Sequence, residues 1–505
     1  MGQKQRSSSE ADNEVKKRRR VGFSGVDSGV EAKDCITIYL VSSKEEFDAP
    51  ESFVIHPVDL NSFFDDDGKI YGYEGLKVGF ICLKITVFEF LMVYDVLFFQ
   101  LVLHLFLLQI TIWISSISFY AYADITFQSS SDRGKGVTDL KSALQTIFAE
   151  TLVDSKDEFL QKYLADNDFV RTNISNGETL KHKAFKENIC DSNQLTDSST
   201  STVEVVRLVA GNMATGQLYS HLIPLTLLLV DGSSPIDVTD SQWELYIVCQ
   251  KKTDQQGEIQ YRLTGFTAVY RFYHYPDDSR LRLSQILVLP PYQHKGYGRF
   301  LLEVLYDVAI SENVFDFTVE EPLDHFQRVR TCVDALRLLR FGPIQNIVTK
   351  AVSLLKQEKL SKKAHCPRLL PPPSAIEDVR KSLKINKQQF LQCWEVLIYI
   401  GLNPVDKNME NFVSIILNRV KYDILGKDSG TSGKQLIEVP SDVDQEMSFV
   451  MFRSEANEAS TVQMDDNQAN QEEQLQKLVQ ERVKEIQLIA EKVTLHLGSS
   501  GLVVN

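Results

Sequence analysis

Residues 284–298 read SQILVLPPYQHKGYG. They overlap a segment, 281–289, that opens by alternating and then turns continuously apolar (Ile286, Leu287, Val288, Leu289). So short an uninterrupted apolar run is the pattern of a central strand buried on both faces. Pro290 and Pro291 end it, since proline brings no N–H to a sheet ladder. Gly296 and Gly298 follow, and a helical spacing of apolar residues runs from Phe300 to about Ser311. Val314–Glu320 reads as a further strand. Upstream, Trp243–Cys249 and Arg262–Phe272 read as a hairpin across the polar segment 252–258. Hairpin, strand, glycine turn, helix and strand, in that order, predict a mixed α/β core.

The turn Gln293-His294-Lys295-Gly296-Tyr297-Gly298 is the candidate binding element. Glycine lets the backbone approach a ligand, and free N–H groups at a helix start attract anions. The turn lacks the Gly-Lys-Ser/Thr ending of a triphosphate loop and is an incomplete dinucleotide fingerprint. Its weight comes from context: a strand precedes it, and Glu320 and Glu321 close the strand that follows its helix.

In this turn and its flanking strand the sequence resembles the GNAT acetyltransferases, whose pyrophosphate loop has Gln-x-x-Gly-x-Gly after a strand. The longer run 284–298, with TVEEP at 318–322, resembles the plant-like catalytic subunits of the type B histone acetyltransferases. So do GKIYGYEGLK (68–77), YADITF (122–127), PIDVTD (235–240), YPD (275–277) and KINKQ (384–388). The likeness covers about 35–420, apart from the apolar block described below. It implies an α+β fold: a GNAT core with a mixed, mostly antiparallel sheet flanked by helices, an N-terminal α/β domain and a helical C-terminal domain. It also implies acetyl transfer from acetyl-CoA to lysines near the N-terminus of free, newly made histone H-four, without a metal. Carried over by motif, Ile286, Leu287 and Val288 offer strand backbone to the pantetheine arm. Gln293, His294, Lys295, Gly296, Tyr297, Gly298 and Arg299 hold the pyrophosphate. His294 stands where the family often has glycine. A WD-repeat histone chaperone is the implied partner.

The chemistry requires a base. A lysine amine has a pKa of about 10.4, so roughly one in a thousand is neutral near pH 7.4. Attack on a thioester therefore needs a carboxylate within hydrogen-bond reach, or one water away. Glu320 matches the family's catalytic position, with Glu321 and the more distant Asp231 as helpers. Without the resemblance, the two glutamates would read as a solvated strand end before Pro322. For the basic tail, Asp65, Asp66 and Asp67 match one substrate-contacting segment and Tyr270, Arg271 and Phe272 another. An acidic run there pairs with tail Lys and Arg; read blandly, it is a polar turn. Arg271 opposes a basic tail unless it points away or pairs with a carboxylate. Cys249 and Cys332 could serve as acyl nucleophiles, but no His partner follows from spacing, and buried structural cysteine is the commoner case.

Composition agrees. The 505 residues carry 54 Lys+Arg against 68 Asp+Glu, a formal charge of −14, which suits a basic partner better than nucleic acid. Seven scattered cysteines without a CxxC argue against a zinc site or a disulfide framework. No secretory signal opens the chain, and Lys16–Arg20 is a basic run suited to nuclear import. The expected locations are nucleus and cytoplasm.

One stretch does not fit. Residues 78–109 are apolar at 24 of 32 positions, long enough for a membrane span of roughly 20 residues. A span would fall inside one domain, between adjoining pieces of its sheet, and would carry Lys84, Glu89 and Asp95. An inserted core helix would have no apolar surface to hide against. The block starts Val-Gly, whose codons begin GT, and ends in Gln, whose codon can be CAG. Removing it joins GlyLeuLys to IleThrIleTrp in frame, so we read it as a retained intron.

The expected organisation is a disordered basic tail (1–34), an N-terminal histone-binding domain (35–200, interrupted by 78–109) and a catalytic core (201–322). A helical domain (323–425), an acidic linker (426–473) and an amphipathic helix with a tail (474–505) complete it. Within 35–200, strands are expected at 36–40 and 53–55 and over Ile117–Phe127, a helix over 138–165 and a polar connection over 168–200. A non-catalytic histone-binding protein and a GNAT enzyme for small amines or protein N-termini remain competing readings.

Overall fold

The computed structural model describes residues 29–41, 44–47, 53–58, 60, 63–64, 68–74, 108–132, 136–165, 168–186, 200–253, 259–357, 370–402, 406–425 and 468–499. Asp65, Asp66 and Asp67, the N-terminal basic run, the linker up to 467 and nearly all of 78–109 lie outside these residues. The chain divides into two units, Met1–Asn173 with Gly216–Pro235, and Ile174–Thr215 with Ile236–Asn505.

In the first unit, among the described residues, five strands lie in the order Phe53–Ile55, Ile36–Val41, Gln109–Ser115, Ala121–Thr126, Leu152–Val153. Ile36–Val41 runs parallel to Gln109–Ser115, with Ile36 opposite Ile110. Trp113 stacks on Phe47 at 4.8 Å and on Tyr122 at 5.7 Å, closing an aromatic core with Phe159. Gln109, the last residue of the expected insertion, already pairs with Thr126, so the strand claims the end of that segment. The strand expected from Ile117 begins instead at Ala121. The Ser115 hydroxyl accepts from the Ser118 N–H at 3.2 Å, and this local serine bonding makes residues 116–118 a turn. The expected helix over 138–165 is two helices, Leu140–Phe148 and Lys156–Ala165, parted by the short strand Leu152–Val153. Asp139 caps the first, accepting from the Ser142 N–H at 3.0 Å.

The second unit is built on a six-stranded sheet among the described residues: β1 (Glu178–Lys186), β2 (Thr200–Val209), β3 (Trp243–Thr253), β4 (Ile259–His274), β5 (Asp278–Val288) and β6 (Phe317–Val319). Neighbours are antiparallel except β5 and β6, which are parallel. The sheet is thus mixed and mostly antiparallel, as expected. The segment 168–200, expected as a polar connection, holds the short helix Phe169–Ile174 and β1. Lys181, His182 and Lys183 make it look like a loop, yet charged residues are how an edge strand avoids further pairing.

Helix α1 (Tyr297–Ser311) follows the glycine turn and buries Phe300, Leu301, Leu302, Val304, Leu305, Val308 and Ala309. These pack with Val203, Val205, Tyr246, Val248, Leu281 and Leu283 of the sheet. Each buried Val, Leu or Phe among them contributes roughly 1.5–3 kcal/mol. The same core continues into α2 (Asp324–Leu339), α3 (Gly342–Gln357), α4 (Pro373–Leu383), α5 (Lys387–Leu402), α6 (Asp406–Leu425) and α7 (Gln468–Ser499). Pro373 starts α4 at the position where a missing N–H costs least. The amphipathic C-terminal helix is part of this bundle rather than a separate appendage: Val479, Ile486, Ala490 and Val493 are buried in the shared core. Among the described residues, no helix is long and apolar enough to cross a membrane.

Candidate active site

The site forms where β5 and β6 part. They pair only over Leu281–Leu283 against Phe317–Val319, and the Glu320 N–H then donates to the Leu283 carbonyl at 2.9 Å. Beyond that bond, among the described residues, β5 has no strand partner on this side up to Val288. A register shift between Ala268 and Val269 of β4 places a bulge at Ser284, which bends β5 as it enters the open stretch.

Alternation then decides which backbone groups the open edge presents. The Leu289 N–H donates to the Thr264 carbonyl at 2.9 Å, so Leu289 and Thr264 are a hydrogen-bonded pair. Two residues back, Leu287 turns its N–H and carbonyl toward Phe266 of β4, whereas Ile286 and Val288 turn theirs to the open side. This corrects the equal role expected of the three residues. The Val288 carbonyl already accepts from the Gln293 amide at 2.9 Å, which ties the following turn back to the strand.

In that turn His294 has φ +60° and Gly296 φ +90°, both left-handed. Gly296 takes this form freely and caps α1; its carbonyl accepts from the Phe300 N–H at 3.0 Å. The N–H groups of Tyr297, Gly298 and Arg299 therefore precede the first intrahelical bond and have no acceptor within the helix. They point along a helix axis whose positive end faces the turn, a fit for a diphosphate. Lys295 is exposed, 5.7 Å from the Tyr292 ring centre. The Arg299 guanidinium pairs with Glu303 at 2.8 Å, so its backbone is better placed than its side chain for an anion. A coenzyme with a diphosphate and an extended amide arm fits these residues: the arm along Ile286 and Val288, the diphosphate at 296–299.

Glu320 and Glu321 are exposed. The Glu320 carboxylate accepts from the Ser284 hydroxyl at 2.7 Å. Strand alternation sets the face. Arg282 lies opposite Thr318 and opposite Tyr270, and Tyr270 lies opposite Trp243. Two residues on from Thr318, Glu320 continues that face. Trp243 and Tyr270 meet edge to face at 4.9 Å, Tyr270 and Phe272 at 4.6 Å, and Arg282 sits over Phe272 at 4.5 Å. Burial and a hydrogen bond to Asp240 hold the Tyr270 phenol above its ordinary pKa. Trp243 and Arg282 were not among the sequence candidates; their pairing register with Tyr270 was the missing signal.

Arg271 does not belong to this face. Odd-numbered between Tyr270 and Phe272, it points to the α1 side. There its Nε and Nη2 donate to Glu244 at 2.9 and 2.8 Å, and Nη2 also bonds Glu312. Its charge is thus met by carboxylates on that side of the sheet, the pairing that a cation beside a basic tail would require. Asp231 lies in the first unit, exposed in the turn after the helix Met213–Leu229. Cys249 is fully buried and Cys332 largely so, and burial pushes both thiols above their ordinary range, so neither is an activated nucleophile. Among the described residues no cluster of side chains could hold a metal ion.

The profile described as "Histone acetyl transferase HAT1 N-terminus" matches residues 28–96 and 107–231, and "Acetyltransferase (GNAT) family" matches 232–327. The gap at 97–106 falls inside the apolar block. The chain is 52% identical over 98% of its length to a histone acetyltransferase type B catalytic subunit of Arabidopsis thaliana, 98% of which is covered. It is 42% identical over 95% to the Zea mays protein of the same description, covering 94% of it. A Dictyostelium discoideum protein so described is 24% identical over 72% of the chain and 65% of its own length.

Proposed function

The chain belongs to the family of type B histone acetyltransferase catalytic subunits, and on that premise we propose that it acetylates histone lysines, chiefly near the N-terminus of free histone H-four. The observation that carries the reading is the Glu320 carboxylate at the point where β5 and β6 diverge, on the face that carries Trp243, Tyr270 and Phe272. Acetyl-CoA supplies the activated acetyl group as a thioester. Ile286 and Val288 orient its arm by backbone hydrogen bonds, and the N–H groups of 297–299 neutralise its diphosphate.

Glu320 accepts the proton that the substrate ammonium loses, so that a neutral amine attacks the thioester carbonyl; a C–N bond forms, the C–S bond breaks, and the second proton lost by the nitrogen goes to the departing thiolate, leaving an amide and a free thiol. Ser284 holds the carboxylate's rotamer while this happens. Trp243, Tyr270 and Phe272 provide apolar walls for the lysine's methylene stem. Asp65, Asp66 and Asp67, by family likeness, pair with basic residues of the tail, and a WD-repeat chaperone presents the histone. The acidic charge of the chain supports a basic substrate, and the run 16–20 supports passage between cytoplasm and nucleus.

The test is acceptor choice. Purified protein is offered a histone H-four tail peptide, a small polyamine and a peptide with only its N-terminal amine free, each with labelled acetyl-CoA. Preferential labelling of tail lysines is expected. Preference for either of the other acceptors overturns the histone assignment, and binding of the tail without any transfer favours a non-catalytic role.

A further inference from the structure

Three consecutive residues on the approach to Glu320 are each held by a different arginine. The Phe315 carbonyl accepts from Arg380 Nη1 at 2.8 Å, and the Arg380 guanidinium lies 3.7 Å from the centre of the Phe315 ring. The Asp316 carboxylate is bidentate with Arg280, Nε to Oδ1 at 2.6 Å and Nη2 to Oδ2 at 3.1 Å. The Phe317 carbonyl accepts from Arg330 Nη2 at 3.3 Å, and the Phe317 N–H donates to the Lys384 carbonyl at 2.8 Å. The arginines come from three elements: Arg280 from β5, Arg330 from α2 and Arg380 from α4. Arg380 is itself fixed by two bonds to Glu377, at 2.9 and 2.6 Å.

This density of anchors has a physical reason. A parallel pair of strands normally fixes its members by a long ladder, but here the ladder is three residues long, because the strands must part to admit the coenzyme arm. What the short ladder gives up, Arg280 supplies from β5 itself, and Arg330 and Arg380 supply from the helical region. We infer that Arg380, with Arg280 and Arg330, is a positioning residue: the clamp fixes β6 and thereby places the Glu320 carboxylate where it can take the acceptor's proton. The inference rests on the reading of Glu320 as base. It gives the helical C-terminal region a part in the reaction, although neither Arg330 nor Arg380 is assigned any contact with substrate. Placement matters because a misplacement of about 1 Å can cost on the order of a hundredfold in rate.

Arg380 is the residue to test, being only part-buried and better tolerated than the buried Arg280 or Arg330. Arg380→Met and Arg380→Lys are made in the full chain, each alone and combined with Glu320→Gln. The readouts are kcat per folded molecule, KM for acetyl-CoA and acetyl-CoA affinity by calorimetry. Arg380→Met is expected to lower kcat about tenfold, with acetyl-CoA affinity within about twofold of wild type. Arg380→Lys keeps the charge but not the planar fork, so it recovers only part of the loss. In the Glu320→Gln background, Arg380→Met is expected to change kcat by less than about twofold, because the group it positions is gone. An equal fall in both backgrounds, or an unchanged kcat per folded molecule, overturns the clamp. Glu320→Gln without effect on kcat overturns the base assignment itself, and the clamp with it.

Discussion

The Ser284 hydroxyl donates to the Glu320 carboxylate at 2.7 Å, joining the bulge of β5 to the residue that closes β6. The bond spans the two strands at the place where their ladder ends, so it is both a latch on the divergence and a rotamer lock on the base. Ser284→Ala removes one hydrogen bond to a charged acceptor, worth about 1.5–3 kcal/mol where it is fully made. Because the pair is exposed, the lower end applies, and kcat should fall by roughly tenfold. Steady-state kinetics with acetyl-CoA varied should show KM for acetyl-CoA unchanged.

Gly296→Ala should weaken acetyl-CoA. At φ +90° an L-residue is strained by about 1–3 kcal/mol, and relief of that strain would tilt the N–H groups of 297–299 away from a common focus. Calorimetry should record affinity reduced by about tenfold or more. His294→Gly should do the reverse for stability. His294 pays a left-handed penalty at φ +60° that glycine does not, so the melting temperature should hold or rise slightly while affinity is kept.

Arg271→Met should alter acid stability, not tail affinity. Burial works to raise the Glu312 carboxyl, but hydrogen bonds from Arg207 and Arg271 outweigh it, leaving the group below its ordinary 4.5. A carboxylate depressed by folding stabilises the fold above its unfolded value, and that contribution is lost as pH falls through the folded value. Wild type should therefore lose stability below about pH 4.5, and Arg271→Met should lose less over that window, from a lower starting point. Denaturant titrations between pH 3 and 6 give the comparison. A large change in histone-peptide affinity in this variant would return Arg271 to the substrate face.

Cys332→Ala should keep acetyl transfer within about twofold, and brief alkylation at neutral pH should leave wild type active, since a thiol raised by burial is mostly unreactive. Rapid-quench analysis should find no acetyl group on the protein.

How much of this was legible in the residues depends on range. β5, the glycine turn and α1 could be read because an apolar run, two prolines and a helical period are local signals. β1 could not, because Lys181, His182 and Lys183 place on an edge strand the composition of a loop. The break at Leu152–Val153 was hidden by apolar residues that suit a helix equally well. The site was half legible: Glu320 and the 293–299 turn come from motif, but the bulge at Ser284 and the different roles of Ile286 and Leu287 depend on pairing register. Arg271 shows the same limit. Its partner Glu312 is 41 positions away, and only the alternation of β4 against a folded α1 brings them together. The arginine clamp, which joins residue 315 to 380, is wholly a property of tertiary packing.

The measurement that tests the account most directly is the rate of acetyl transfer to a histone H-four tail peptide by Glu320→Gln, with acetyl-CoA affinity measured on the same preparation. Gln keeps the shape and the bond from Ser284 but cannot accept the substrate's proton. In this variant kcat should fall by about a hundredfold or more at neutral pH with affinity for acetyl-CoA retained, and a higher pH should restore part of the rate as the lysine loses its proton unaided. Transfer at the wild-type rate by this variant would contradict the role of Glu320 as base.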